Sequence, residues 1–481
     1  MTYRVKNALA ALNRLTTRFR AVLGAMMALG LAGLLAFHNV SSGPLHNLND
    51  IGGWSNRALF IVMAAAVQAL VLLGCTLLHR GSFAHLALRQ LILTAGFYIL
   101  LLGINHKAYV YVNVLQPLIR VMDEGGLAAG IRMEHHLSAP MLLLVYLITR
   151  GPVYDMYLLK LFAIFCYMAL GLLLTHAADK KGFGIRAEVL LALWMILPHG
   201  FMNAAFSAMP EIAVVTLLAA SLLLLDSAHW LRQAAGCACF GAACALSGAA
   251  LYALPLYAYM AYREKLKKEY LLLVPGVMIV CCVPVIASGM GAGDALCSLF
   301  GANFGLPQYA SGAPGLMNLV PFAQVEQMPQ YAPILRHFEE LDTVTHEQLY
   351  YTQAHFEQMA SGMILVSLAL AMGAWALAER MKDKPALHRM LVVVLGVLIA
   401  CPNMTCGAWL AADLLCLYAL LAAPKLRLPA CMVLLATACS SVYPMTEEVM
   451  LPMIYAFALC LLAWLALVGV IPAREEEAVH E

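Results

Sequence analysis

Apolar residues fill the chain in long runs broken by short polar stretches. The first run is 21–37. Others follow at about 57–78, 90–105, 157–176, 187–199, 211–225, 234–247, 249–261, 270–288, 360–378, 389–401, 406–422, 428–443 and 449–470. Uncharged runs of this kind predict membrane-spanning helices, and a straight crossing takes ~20 residues. Several runs are shorter. They either extend past these bounds or form half-helices shielded by neighbours. Together they predict an all-α integral membrane protein of about 13–14 transmembrane helices. The run at 140–149 would reach about 15 Å as a helix, half of the ~30 Å hydrocarbon core, so it predicts an interfacial or re-entrant helix.

The positive charges orient these spans. With both ends in the cytoplasm, 22 of the 29 Lys and Arg residues fall in predicted inner segments. That asymmetry is the positive-inside pattern of short loops. Arg57, Lys107, Arg120, Arg132, Arg150 and Arg336 stay outside, and Lys160 lies within a span. A signal peptide competes for residues 1–37. Its n-region would be long, and no small-residue cleavage site follows directly.

Two outer segments are too long for turns, 106–156 and 289–359. The second begins Gly/Pro-rich and continues as a polar, helix-predicting stretch from Tyr331 to Gln358. Long structured loops on one face usually carry function. The chain therefore divides into a basic segment and two spans (1–94), a transmembrane core containing the first outer loop (95–288), the second outer loop (289–359), C-terminal spans (360–470) and a tail (471–481).

Hydrophobic residues make up 63% of the chain and charged residues 12%, which excludes a soluble enzyme or a nucleic-acid binder. No Walker A motif and no GxGxxG followed by an acid occurs, which argues against an ATP-driven pump or a dinucleotide enzyme. The cysteines form no CxxC pair. Cys237, Cys239, Cys244, Cys281 and Cys282 sit inside apolar runs and read as small core residues.

The order of segments from about 95 to 422 resembles the polytopic glycosyltransferases of fold type C, which use polyprenyl-phosphate sugars. Four stretches carry the resemblance. In 106–165, Gly125-Gly126, Pro140 and Lys160 match, but no acid occurs between Asp50 and Asp123, where the family has an aspartate. In "LPHGFMNAAFSAMPEIAVV", Pro198 and Asn203 match, Phe206 stands for an aromatic, Ala208 replaces a glutamine, and Pro210 or Glu211 falls at a family aspartate. "FGAACALSGAALYALPLYAY" resembles a helix carrying Lys-x-Gln, with Ser247 and Ala249 in those places. "ANFGLPQYASGAPGLMNLV" and "CPNMTCGAWLAADLL" resemble the start of the family's long loop and its later outer turn. Pro402 and Met404 match there. Thr405, Cys406, Gly407 and Ala408 replace the polar core.

The resemblance implies inverting sugar transfer from a polyprenyl-phosphate donor to a cell-envelope glycan or lipid, at the outer face of a bacterial cytoplasmic membrane. That chemistry needs a carboxylate base near the acceptor hydroxyl and donors around the leaving phosphate. Glu211 is the first expected base, because it opens an apolar helix at a family acid position. Stabilisation of the helix dipole is its structural alternative. Asp123 and Glu124, with Glu134, are the other outer-loop acids, against a reading as solvated charges. Arg132 and Lys107, with Arg150, are expected phosphate contacts. Headgroup anchoring is their alternative. His135, His136 and Asn203 join the expected substrate-binding set, as does Tyr309, which could stack on a sugar or sit in an interfacial belt. Adjacent histidines ligate one ion poorly from a helix face, so no metal is expected, nor any other cofactor. Asp413 lies within a span, where an acid marks function or bonds a nearby backbone group or Tyr418. The expected partners are the polyprenyl-linked sugar and membrane lipids, with no nucleic acid; oligomeric state stays open. An inactive scaffold binding a polyprenyl lipid, or a lipid or solute transporter, are the alternative functions.

Overall fold

The computed structural model describes residues 24, 49–79, 82–104, 111–133, 137–207, 210–227, 229–262, 266–304, 314–316, 366, 369–401, 406–441 and 453–470. Among them all regular structure is helical. Four helices among the described residues are long and apolar enough to cross a membrane: Leu59–Leu78, Phe83–Leu101, Asp155–Lys180 and Lys268–Ala287. A fifth is reached if the bent pair Ile185–Met195 and Pro198–Phe206 counts as one span. Apolar helices at Ala139–Thr149, Ile212–Leu225, Ala386–Ala400, Gly407–Ala422 and Met453–Val468 are shorter. The all-helical, membrane-embedded character thus follows from length and composition. Apart from Gly24, the first run lies outside the described residues, as does the stretch expected to be helical from Tyr331 to Gln358.

The chain forms two units, Met1–Asn303 and Phe304–Glu481. The first holds α1 (Asn49–Leu78), α2 (Phe83–Leu101), α3 (Gln116–Arg132), α4 (Ala139–Thr149), α5 (Asp155–Lys180), α6 (Ile185–Met195), α7 (Ile212–Leu225), α8 (Trp230–Leu246), α9 (Leu254–Tyr262), α10 (Leu273–Ala287) and α11 (Ala292–Phe304). At its centre α5 packs on α1, α2, α4, α6 and α7, and a second layer runs from α7 through α8 to α10. Buried residues cover every face of α5, as its nearly continuous apolar sequence requires. Tyr167 on α5 stacks on Trp194 of α6 with ring centroids 4.7 Å apart. Trp194 Nε1 donates to the Tyr167 carbonyl at 3.0 Å, and Tyr167 Oη donates to the Trp194 carbonyl. The amphipathic groups of both rings are thereby satisfied inside the bundle. In the second layer, Phe240 and Tyr257 stack at 3.8 Å, and the Tyr257 hydroxyl lies 2.7 Å from Ser221 Oγ.

The helix ends show why several sequence boundaries move. Residues 79–89 read as an inner loop, but α2 begins at Phe83, where Ser82 caps it by accepting from the His85 N–H. Arg89 therefore lies inside a helix. Ser138 caps α4 by accepting from Met141 N at 3.3 Å, and Pro140 fits the first turn, where no N–H is needed. α3 breaks at Gly126, whose φ of 70° is open to glycine at little cost. Among the described residues of 106–156 there are thus the helices α3 and α4, and the eleven residues of α4 span about 16 Å. Between α6 and α7 the chain bends by 53°, then forms a short turn at Pro198–Phe201 and a wide π-type turn at Met202–Phe206.

The second unit holds a helical stretch at 369–380, then α12 (Ala386–Ala400), α13 (Leu410–Ala422), α14 (Arg427–Ser440) and α15 (Met453–Val468). α12 packs on α13 and α15, and α14 packs on both α13 and α15. Cys237, Cys244 and Cys282 are buried, and Cys239 and Cys281 partly so, all as free thiols.

Candidate functional site

Polar groups in the first unit gather at two levels. α2 and α5 run antiparallel, which puts Arg89 opposite Asp179 and Gly103 opposite Lys160. About 14 residues on α2 and about 19 on α5 separate these levels, or about 21–28 Å of helix, close to the thickness of a bilayer core.

At the first level Arg89 is saturated. Its Nη1 and Nη2 each donate to Asp179 at 2.6 Å, and its Nε donates to Glu188 Oε1 at 2.9 Å. His85 Nδ1 lies 3.1 Å from the same Glu188 oxygen. The planar fork of arginine allows two carboxylates to be held at once. Next to it, His79 Nε2 contacts the Ser82 carbonyl at 3.0 Å, and burial pushes the imidazole below its usual range.

The second level carries the expected site region. Lys160 is fully buried and donates to the Gly103 carbonyl at 2.8 Å. Gly103 in turn lies against the π-type turn: a Cβ there would stand 2.9 Å from Ala205 Cβ and from the Phe206 ring. Within that turn Asn203 is buried and its Nδ2 donates to the His199 carbonyl at 2.8 Å. Asn203 thus braces the turn. Ser207 ends it, and its Oγ is buried without a hydrogen-bond partner.

Glu211 follows, one residue before α7. Its Oε2 is buried and has no hydrogen-bond partner. Burial pushes its carboxyl above the usual range, and its own backbone N–H offsets part of that. A carboxyl raised by burial, with no cation bound to it among the described residues, is suited to take a proton near neutral pH.

Asp123 and Glu124 are exposed near the break in α3. Asp123 Oδ1 lies 3.8 Å from Arg150 Nη1, both well exposed. Arg150 also donates to the Met122 carbonyl at 2.5 Å and sits 4.5 Å over the Tyr146 ring. These contacts tie the end of α4 to the middle of α3. Arg132 is exposed in the last turn of α3, where the helix dipole favours a cation. No ion pair or hydrogen bond joins Glu211 to Asp123, Glu124 or Arg132 among the described residues. Lys107, Glu134, His135, His136 and Tyr309 lie outside them. No group of three or more His, Cys, Asp or Glu side chains there could hold a metal ion.

Two residues at this level escaped the sequence reading. Tyr111 is buried, and its Oη donates to Asp155 Oδ1 at 2.9 Å and lies 3.2 Å from Tyr154 Oη. Burial, then these neighbours, pushes the Tyr111 hydroxyl up. Asp155 opens α5, accepts from Met156 N at 2.8 Å, and is close enough to Asp123 for their charges to interact. The signal was present: an acid at the first residue of a long apolar run. Asp413, in the second unit, is fully buried and accepts from Thr437 Oγ1 at 2.6 Å. That donor is on α14. Compared with family models, with curated proteins and with solved structures, the chain matches none.

Proposed function

We propose that the chain is a glycosyltransferase of the bacterial cytoplasmic membrane, with both termini in the cytoplasm. It takes a sugar from a polyprenyl-phosphate donor and places it on a cell-envelope glycan or lipid at the outer face. The helical arrangement would be that of fold type C, with 13–14 spans in all, about three times the number that pass on length alone. The observation that carries the reading is Glu211, a carboxyl with a buried, unpartnered oxygen at the mouth of an apolar helix. The acceptor hydroxyl gives its proton to Glu211 as its oxygen attacks the anomeric carbon. The bond from that carbon to the phosphate oxygen breaks, and the polyprenyl phosphate leaves with the electron pair. Arg132 and Lys107 would steady the leaving phosphate, since an outward Arg can hold it with two hydrogen bonds. Asp123 and Glu124 would be next in line for the base.

The test is sugar transfer by the purified protein from radiolabelled polyprenyl-phosphate hexoses. Glu211→Gln keeps the shape and removes the charge, and the rate should fall by roughly 10²–10⁴. An unchanged rate removes Glu211 from the mechanism. A second reading, an inactive scaffold that binds polyprenyl lipid, is favoured by Arg150: this outer cation is already bound to Met122 and Asp123. Donor binding without transfer for every donor tried would establish that reading instead.

A further inference from the structure

The ends of α5 and α7 and the starts of α6 and α8 share one face at the level of the Arg89 clamp. Lys180 closes α5 and reaches Asp226, just past α7, at 3.3 Å. From Lys180 the chain folds tightly into α6: Phe183 N donates to the Ala178 carbonyl at 3.2 Å, and Arg186 N donates to the Phe183 carbonyl at 3.2 Å. α8 returns antiparallel against α7, with Ser221 Oγ donating to the Gly236 carbonyl at 2.7 Å. That contact sets the first turn of α8, Trp230–Arg232, at the level of Asp226. Lys181, Arg186 and Arg232 are exposed and make no ion pair among the described residues. Lys180 with these three gives four cations on the face, against Asp226 as the exposed acid. Between them Ile185, Trp230 and Leu231 are each more than half exposed.

We propose that this face binds the headgroups of anionic phospholipids, with Arg186 and Arg232 on the phosphate groups and Trp230 among the upper acyl carbons. The proposal is independent of the glycosyltransferase reading. Unpaired cations call for an anion, and the planar fork of arginine can hold a phosphate with two hydrogen bonds. The apolar side chains between the cations decide which anion. A soluble phosphate would leave Ile185, Trp230 and Leu231 in water. A phospholipid brings the phosphate and an apolar chain together, and the indole ring is suited to the headgroup boundary. The depth agrees: the face lies where α5, long and apolar enough to span, reaches its end. Positive charge alone serves to orient spans during insertion. A headgroup site also needs the exposed apolar groups among the charges, and this face has both. Arg150, at the other level, is by contrast held by the Met122 carbonyl and lies beside Asp123.

The test places the full chain in phosphatidylcholine nanodiscs that carry, as a minor lipid, either phosphatidylglycerol or phosphatidylcholine with brominated acyl chains. Bromine quenches tryptophan fluorescence on contact, and the difference between the parent and Trp230→Phe isolates Trp230. Brominated phosphatidylglycerol should quench Trp230 more than brominated phosphatidylcholine at the same mole fraction. A cation near an anionic membrane surface is worth about fivefold in binding, so Arg186→Gln combined with Arg232→Gln should weaken the preference about 10–30-fold. Arg186→Lys with Arg232→Lys, which keeps the charge, should retain most of it. Arg120→Gln, which removes an exposed cation of α3, should leave it unchanged. Equal quenching by the two lipids overturns the proposal. So does an equal loss in Arg120→Gln, or an unchanged preference in a double Gln variant whose thermal midpoint matches the parent. If the double variant does not fold, each single Gln variant should show about a fivefold loss, and no loss in either overturns it as well. Inorganic phosphate in excess should leave the quenching in place; if it abolishes the preference, the face is a site for a soluble anion and the lipid proposal falls.

Discussion

Arg89 and Lys160 are both buried cations on one antiparallel pair of helices, yet they meet different partners. Arg89 reaches two carboxylates from two other helices, and a histidine joins the second. Lys160 reaches a backbone carbonyl. At that level Asp155 is held by neutral groups, Tyr111 and a backbone N–H, and Glu211 Oε2 has no hydrogen-bond partner among the described residues. Charge at the first level is paired off into a clamp between α2, α5 and α6. At the second level the pair of Asp123 with Arg150 is exposed and long, and Asp155 and Glu211 make no ion pair among the described residues. Paired acids are poor bases because their negative form is stabilised. Acids buried without a cation are better ones. The difference points to the second level for chemistry and to the first for mechanical closure.

The sharpest way to break the comparison is to remove the clamp. Arg89→Ala leaves Asp179 and Glu188 without their cation, and loss of one partner from a buried pair costs about 3–5 kcal/mol. Thermal unfolding in detergent micelles should show this as the largest shift of any variant named here. Replacing Arg89, Asp179 and Glu188 together by Met, Leu and Leu should cost much less, because no charge is then stranded. If the triple variant is as unstable as the single one, the cluster stabilises through its packing and the contrast between the two levels collapses.

Gly103→Ala probes the second level sterically. The added methyl group would sit 2.9 Å from Ala205 Cβ, which can yield only by moving backbone. Overpacking of that kind costs about 1–3 kcal/mol. The π-type turn would shift with it, so sugar transfer should fall more than stability does. A loss of stability with full transfer would show that the turn's position is irrelevant to the site. Tyr111→Phe is milder. It removes the hydroxyl bound to Asp155 and should cost about 0.5–1.5 kcal/mol, read from the same unfolding curves.

Part of this contrast was legible in the sequence. Glu211 stands out as an acid opening an apolar run after a proline, and the structure places it at a helix mouth. Lys160 stands out as a lone cation in a span. The clamp was not legible, because Arg89, Asp179 and Glu188 are separated by about 90 and about 9 residues along the chain. Each reads locally as an ordinary charge at the edge of a span. Only the antiparallel pairing of α2 with α5 brings them together. The break after Ile196 was missed for a different reason: the run 187–199 is apolar throughout, and hydropathy does not register a change of direction. Asp413 was recognised as costly, but Thr437, which donates to it, lies one helix further on, beyond the reach of local spacing.

The smallest effect concerns pH, and its sign separates the two levels most cleanly. Burial raises the Glu211 carboxyl in the folded chain above its unfolded value of about 4.3. The folded state therefore holds that proton more tightly than the unfolded state does. Its contribution to stability is fully present below the unfolded value and is lost as pH rises through the folded value. Salt-bridged carboxylates elsewhere have the opposite slope, so the raw stability curve mixes both. The difference between the parent and Glu211→Gln isolates the one group, because every other carboxylate is common to the two proteins. Below about pH 4 the two should be similar in stability, and as pH rises towards about 8 the parent should lose ground to the Gln variant. Thermal midpoints measured across that range in the same micelles give the answer. If the parent gains on the variant as pH rises, Glu211 is paired with a cation in the folded protein. The second level would then be a clamp like the first, and the base assigned to it would fall.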